Sequence, residues 1–379
     1  MHNLVGDKSR GIRYESVWVE QILAPFYASE MQKVLSSMKG LNDIKSLIQD
    51  FENLFARYIG VRYAVAVNSG SDALKLALML SGIGRGDEVI IPSLTYQAVA
   101  LAVCYCGAQP ILVDASRDDL QIDPEGICRA MTSRTRAVVA AHMFGRPCDV
   151  LRIKKICQDH NVIFIEDVCQ AESSQAYGKR LGCFGDMAVF SFSYYKPLSS
   201  CGGGGGMIVS NDEKIHQVRY WMEDWRDDAF LVKLGQRFAP LSFMDLVALR
   251  VKFKCLKRIL ESRLKIKQLY EEQLRQLDAA TIFRDKPATE SIPQNFVVCS
   301  NKKEDLETFL THQDVMVQKP YTPIHHMKIG SKGGLGSFPV SDWYFNTAIH
   351  LPLYSFMPVD KAKKVVQCCQ AFFTQDHDH

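Results

Sequence analysis

The sequence predicts an α/β protein, a mostly parallel sheet with helices on both faces, followed by a smaller C-terminal α+β domain. Three observations carry this expectation. Short runs rich in Val and Ile, mostly without alternating polarity, recur between residues 61 and 210, as in strands buried on both faces. Stretches with helical spacing of apolar residues separate most of them, and a βαβα order argues for parallel strands joined by helical crossovers. Beyond about residue 240 the pattern changes to one long, charged, amphipathic segment.

The expected strands are "VRYAVAV" (61–67), "DEVIIP" (87–92), "QPILVD" (109–114), "RAVVAAHMF" (136–144), "VIFIED" (162–167), "MAVFSFS" (187–193) and "MIVS" (207–210). Between them, "SDALKLALMLSGI" (71–83) has helical apolar spacing. "DPEGICRAM" (123–131) offers Asp123 as a cap and Pro124 for the first turn. "CDVLRIKKICQDHN" (148–161) again begins with a capping Asp. The runs at 187–193 and 207–210 are too close for a helical crossover, so they either pair antiparallel or enter the sheet separately. Residues 244–277 read as a long amphipathic helix that bridges domains or lies on a dimer interface. A strand at 295–300 and helices near 303–314 and 358–373 complete the small domain.

Composition narrows the function classes. With 379 residues, 47% of them hydrophobic, the chain can bury a sizeable core. The net charge of +3, without basic runs interleaved with aromatics, gives no reason to expect nucleic acid. No N-terminal signal pattern and no apolar run of the roughly 20 residues a membrane helix needs is present, so a cytoplasmic protein away from membranes is expected. The twelve cysteines are scattered, with no C-x-x-C; they read as reduced thiols, mostly buried, and no metal site is expected. The terminal "QDHDH" reads as a frayed tail.

Four strand ends carry residues with chemical potential. Asn68-Ser69-Gly70-Ser71 turns a strand directly into a helix, and free N–H groups, helix dipole and serine hydroxyls there favour an anion. Taken alone, the turn fits an ordinary capped βα connection better. Glu166 and Asp167 end an apolar strand where open α/β sheets bind ligands; a solvated acid pair fits the same residues. Lys196 follows "MAVFSFSYY" and precedes five glycines. A lysine desolvated there becomes a nucleophilic amine suited to a Schiff base, although a lone lysine is commonly a surface charge. Tyr96 follows the strand 87–92 and begins the next helix, placed to lie flat on a planar ligand or to fill the core.

Together these supply a phosphate cradle, an aromatic plate, a carboxylate and a lysine, the set that pyridoxal 5′-phosphate (PLP) uses. A glycine-rich dinucleotide loop is the competing reading of "CGGGGGMIVS", but the glycines lead into an apolar strand-like run and not into a helix.

From about residue 50 onward the sequence resembles the DegT/StrS-type sugar aminotransferases, PLP-dependent enzymes of fold type I. The resemblance rests on "NSGSDALKLALMLSGIGRGDEVIIPSLTYQAVA", on "GAQPILVDASRDDLQIDPEGICRAMTSRTRAVVAAHMFGRPCDVLRI", and on "IEDVCQA" and "FSFSYYK" in that order. It implies that Lys196 holds the cofactor covalently and shuttles the proton, and that Asp167 pairs with the pyridinium nitrogen. It further implies that Gln170 contacts the phenolic oxygen, that Tyr96 stacks on the ring, and that Ser191 binds phosphate with Gly70, Ser71 and Asp72. It also implies a homodimer with sites at the interface. The division expected is an N-terminal arm and large PLP-binding domain, residues 1–250, and a small domain, residues 251–379.

Some positions depart from the family pattern. Pro197 stands where Asn is common, the glycine run lacks its acid, and "LGQRFAPLSFMDL" lacks the Asn that reaches the partner's phosphate; Gln236 and Arg237 are candidates to replace it. The family's early "SG…G" substrate segment is missing from "SSMKGLNDIKSLIQ". Lys196 argues against the dehydrating branch, which carries histidine there. The function expected is transfer of an amino group from glutamate or glutamine to a keto-sugar, expected to be nucleotide-linked, or to a related cyclic ketone. Another PLP reaction such as elimination, or a non-catalytic sensor or scaffold, is the alternative. Tyr194, Tyr195, Trp221, Trp225, His325 and His326 are candidate substrate-side residues, with core and surface roles equally open.

Overall fold

A computed structural model describes residues 17–37, 40–223, 238–277, 280–329 and 336–374. Two helices open it, α1 (Val17–Ser37) and α2 (Leu41–Ile59). The α/β part follows as β1 (Tyr63–Val67), α3 (Gly70–Leu80), β2 (Glu88–Pro92), α4 (Ala98–Tyr105), β3 (Gln109–Val113), α5 (Pro124–Ala130), β4 (Thr135–Ala141), α6 (Val150–His160) and β5 (Ile163–Asp167). Short strands β6 (Gln175–Ala176) and β7 (Lys179–Arg180) precede β8 (Met187–Ser191), β9 (Gly206–Ser210) and α7 (His216–Glu223). The long helix α8 (Phe243–Gln273) leads into β10 (Thr281–Ile282), β11 (Thr289–Glu290), β12 (Phe296–Cys299), α9 (Lys303–His312), α10 (Pro339–Thr347), β13 (Ala348–Leu351) and α11 (Val359–Thr374).

All seven strands expected before residue 210 form, and they make one sheet in the order β1-β9-β8-β5-β4-β2-β3. Strands β3, β2, β4, β5 and β8 are mutually parallel. Strand β9 runs antiparallel between β8 and β1, which settles the open question about the two strands around the glycine loop. The lack of polar alternation has a direct cause, because each strand divides its residues between two apolar layers. Val89, Ile91, Val139, Ile165 and Val189 face α3 and α4; Ile90, Val138, Ala140, Phe164 and Phe190 face α2, α5 and α6.

The expected caps are present. Asp123 accepts from the N–H groups of Glu125 and Gly126 with Pro124 in the first turn, and Asp149 accepts from Arg152 N–H. Helix α2 was not among the expected elements, although Ile44, Leu47, Ile48, Phe51, Phe55 and Ile59 recur at helical spacing. That face closes the lower layer, with the Phe55 ring edge-on to Phe190 at 5.0 Å and to Phe192 at 5.6 Å. Burying each such phenyl ring stabilises the fold by about 2–3 kcal/mol.

Helix α8 bridges two cores. Its first half places Leu246, Leu249 and Leu256 under the large sheet. Its second half places Ile266 and Tyr270 in a separate core with the antiparallel sheet β10-β12-β13 and α11. A third small sheet joins the two parts, because β11 pairs antiparallel with β6, Thr289 opposite Ala176 and Glu290 opposite Gln175.

None of the twelve cysteines is disulfide-bonded. The expectation that most are buried is corrected: five are buried, five are half-buried, and Cys104 and Cys201 are exposed. Among the described residues no helix is long and apolar enough to cross a membrane. The terminal "QDHDH" lies outside the described residues.

Candidate active site

Because β3, β2, β4, β5 and β8 are parallel, and β1 and β8 both run antiparallel to β9, six strands point the same way. Their carboxyl ends gather along one edge of the sheet. A cavity of about 530 Å³ opens there, lined by residues at the ends of β1, β2, β4, β5 and β8.

The first wall is the start of α3. Ser69 caps the helix by accepting from Asp72 N–H at 3.1 Å, which leaves the first-turn amides of Gly70 and Ser71 without helical acceptors beside the cavity. Position 70 admits a side chain only if its neighbours shift, since a Cβ there would fall 2.7 Å from Ser191 Cβ and 3.2 Å from Cys169 Sγ. The helix start and the end of β8 therefore touch, and Ser191 lies beside the amides. Asp72 does not line the cavity; its carboxylate lies 3.4 Å from Lys75 Nζ on the same helix.

The second wall is the end of β5. Strand alternation sends its two acids opposite ways. Glu166, fully buried, accepts from the N–H groups of Gly182, Phe184 and Gly185 and pairs with His142 Nε2 at 3.2 Å. Asp167 faces the cavity, where Oδ1 accepts from Cys169 N–H at 3.0 Å and the Cys169 thiol is a further neighbour. Among the described residues no cation forms an ion pair with it. Gln170 also lines the cavity, its amide oxygen held by Phe144 N–H at 3.0 Å.

Lys196 lies five residues beyond β8, in a turn where its N–H donates to Ser193 O. Its side chain enters the same cavity, and Nζ donates to Gln294 Oε1 at 2.8 Å. Burial lowers its pKa below the ordinary lysine value, opposed by Cys169, Glu172 and Asp167. Burial in turn raises the pKa of Glu172, opposed by Lys196.

Tyr96 lines the mouth and is 52% exposed; it precedes α4 by two residues instead of starting it. Its neighbour Thr95 is buried against the cavity, and its hydroxyl has no hydrogen-bond partner among the described residues.

The glycine loop closes back on this edge. Gly205 N–H donates to Asn68 O, and Gly203, at φ +74°, sits where any side chain would enter the Tyr194 ring.

Of the candidate substrate-side residues, Tyr194 and Tyr195 line the cavity. Trp221 belongs instead to the core between α7 and the sheet. His325 and His326 both meet Asp342, at 2.9 and 2.7 Å, and do not line the cavity. Trp225, Gln236 and Arg237 lie outside the described residues. Six further residues at or beside the cavity were not expected from the sequence: Thr95, Cys169, Glu172, Gln294, Gln318 and Tyr321. The first three adjoin motifs already singled out; the last three come from the C-terminal part and carry no local signal.

The sequence profile of the DegT/DnrJ/EryC1/StrS aminotransferase family matches residues 25–370. The chain belongs to this family. Within it, the chain is 31% identical over 355 residues to dTDP-3-amino-3,6-dideoxy-alpha-D-galactopyranose transaminase of Aneurinibacillus thermoaerophilus, covering 91% of this chain and 96% of that protein. It is 28% identical over 344 residues to GDP-perosamine synthase of Vibrio cholerae, covering 86% and 90%. Among solved structures, S. venezuelae DesV in complex with a ketimine intermediate superposes with a TM-score of 0.87 at 27% identity, covering 96% of this chain and 98% of that one. The fold-type-I architecture and the aminotransferase family expected from the motifs are thus borne out.

Proposed function

We propose that this member of the family moves an amino group from glutamate or glutamine to the keto group of a nucleotide-linked sugar, with PLP as cofactor. The observation that carries the proposal is a single cavity shared by Lys196, Asp167 and the amide-rich start of α3. The relatives named above, which act on dTDP- and GDP-linked amino sugars by name, support the acceptor class.

The residues fit the cofactor. Asp167 faces the cavity with no cationic partner among the described residues, the buried Thr95 hydroxyl lacks a hydrogen-bond partner among them, and a helix start supplies N–H groups for a phosphate. When bound, PLP supplies a carbonyl that condenses with primary amines and a ring that accepts the electron pair released at the amine's carbon.

The protein's part follows from its own groups. Gly70, Ser71 and Ser191 would hold the phosphate, and Asp167 would hold the positive charge of a protonated ring nitrogen. Gln170, its amide oxygen held by Phe144 N–H, would donate from its amide nitrogen to the cofactor. Tyr96 would stack on the bound cofactor. Lys196, its ammonium form disfavoured by burial, would attach to the cofactor's carbonyl and would hold and release the migrating proton at Nζ. Asp72, whose N–H is taken by the Ser69 cap, enters the proposal only by fixing the helix start. The proposal also takes residues 1–250 as the large domain and 251–379 as the small one, with α8 crossing between them. It takes the protein to be cytoplasmic and a homodimer; the exposed rings of Tyr96, Tyr194 and Tyr195 around the mouth support the dimer.

The test is a half-reaction. Purified protein with PLP should bleach its visible absorbance on adding glutamate or glutamine, releasing one equivalent of keto acid. Lys196→Ala should bind PLP yet lose turnover by on the order of 10³-fold or more. A protein that releases no keto acid with either donor is not an aminotransferase of this type.

A further inference from the structure

The cavity is not built from the large sheet alone. Gln294 reaches it from the C-terminal part of the chain, 98 residues beyond Lys196, and its side chain accepts the Lys196 hydrogen bond at 2.8 Å. Several independent contacts fix its path. The β6–β11 pairing lays residues 289–290 beside the large domain. Just beyond, Ile292 N–H donates to Ser174 Oγ at 2.9 Å, and that hydroxyl donates to Gly145 O at 2.7 Å. Arg263, buried on α8, then clamps the segment: Nε donates to Pro293 O at 3.1 Å and an Nη donates to Gln294 O at 3.0 Å. Its other Nη donates to Ser355 Oγ at 3.1 Å, which ties the segment to the small-domain core.

We propose that Gln294 is a positioning residue for Lys196: its amide oxygen, held in register by Arg263, fixes the amine in the cavity and stabilises its protonated form. This rests on the reading of Lys196 as the cofactor-binding amine. A flexible lysine must find a carbonyl again after each turnover. An acceptor at 2.8 Å removes much of that search by holding Nζ in one place. An amide oxygen also prefers the ammonium, which offers the stronger donor. It therefore opposes the effect of burial, beside the charged and titratable neighbours Asp167, Cys169, Glu172 and Arg263. Because Gln294 belongs to the C-terminal segment, the proton affinity of the reactive lysine depends on how that segment is seated.

The test compares the full-length wild type with Gln294→Leu and Gln294→Glu, each freed of cofactor and checked for folding by circular dichroism. Reductive methylation of Lys196 by formaldehyde and cyanoborohydride is followed from about pH 6 to 10 by peptide mass spectrometry. Gln294→Leu should move the labelling midpoint down by roughly one pH unit, and Gln294→Glu should move it up by a similar amount. Opposite shifts are the signature, since a loosened structure would move both variants the same way. Midpoints unchanged in the Glu variant, or shifts of equal sign, overturn the proposal. Should the Leu variant fail to fold, the near-isosteric Glu variant decides alone. Borohydride reduction of wild type loaded with PLP separately asks whether the cofactor attaches at Lys196. A negative result there removes the functional reading, whereas the titration judges Gln294.

Discussion

Glu166 and Asp167 are neighbours on β5, yet one is a structural anchor and the other faces the cavity. Glu166 receives three backbone N–H groups and His142, whereas Asp167 accepts one backbone N–H and has no ion pair among the described residues. Substitutions should separate the two roles. Glu166→Ala orphans three amides in the 182–185 turn and should cost at least about 3 kcal/mol in urea unfolding. Asp167→Asn should leave unfolding nearly unchanged but slow turnover on the order of 100-fold or more, as the role proposed for its charge beside the cofactor requires. Equal stability losses in both would contradict the division.

The contact between the α3 start and β8 makes a second prediction. In Gly70→Ala the added methyl meets Ser191 Cβ at 2.7 Å and must push the helix start away from the strand end. Overpacking of this kind costs about 1–3 kcal/mol. The larger effect should fall on the anion site, so PLP affinity measured by fluorescence titration should weaken at least about tenfold. Ser71→Ala, which changes no backbone, should weaken it less.

Thr95 offers a test with two signs. Its buried hydroxyl has no partner among the described residues, and such a group costs free energy when left unpaired. Thr95→Val removes the hydroxyl at nearly constant shape. The cofactor-free protein should then be as stable as wild type or up to about 1 kcal/mol more stable. Cofactor affinity should fall by roughly tenfold, because the hydroxyl's partner is expected to be the ligand. Loss of stability without loss of affinity would assign Thr95 to packing.

His350 sets a pH limit on the core around β13. It is fully buried on β13 between Asn295 and Tyr344, and burial pushes its pKa down to about 3. Below its unfolded value near 6.5 the unfolded chain binds a proton that the folded one refuses. Stability from this group is therefore full above pH 6.5 and is lost as pH falls toward 3. The loss should reach about 2 kcal/mol by about pH 5, read from urea midpoints. His350→Gln should flatten that dependence while lowering stability at neutral pH. An unchanged slope would place the acid sensitivity elsewhere.

Much of this is legible in the sequence. The apolar strand runs specify a sheet covered on both faces, because a strand with no polar side has no face to give to water. The βα turns then force those strands to run parallel, so their carboxyl ends must share one edge. Motifs at 69–71, 96, 167–170, 191 and 196 follow such ends, and this is why local reading brings them to one cavity. Helix α2 is equally legible in its phenylalanine spacing, although strand runs and motifs alone do not reveal it.

What the chain alone does not decide is anything set by register or by distant approach. Which of Glu166 and Asp167 faces the cavity depends on the pairing of β5 with β4 and β8, since a one-residue slip exchanges the two faces. Whether Asp72 or only its amide neighbours reaches the cavity depends on the rotation of α3 about its axis. The contact of Lys196 with Gln294 depends on the β6–β11 pairing and the Arg263 clamp, which join segments 98 residues apart. Local sequence determines what each segment can form; only packing of the whole chain determines which side chains meet.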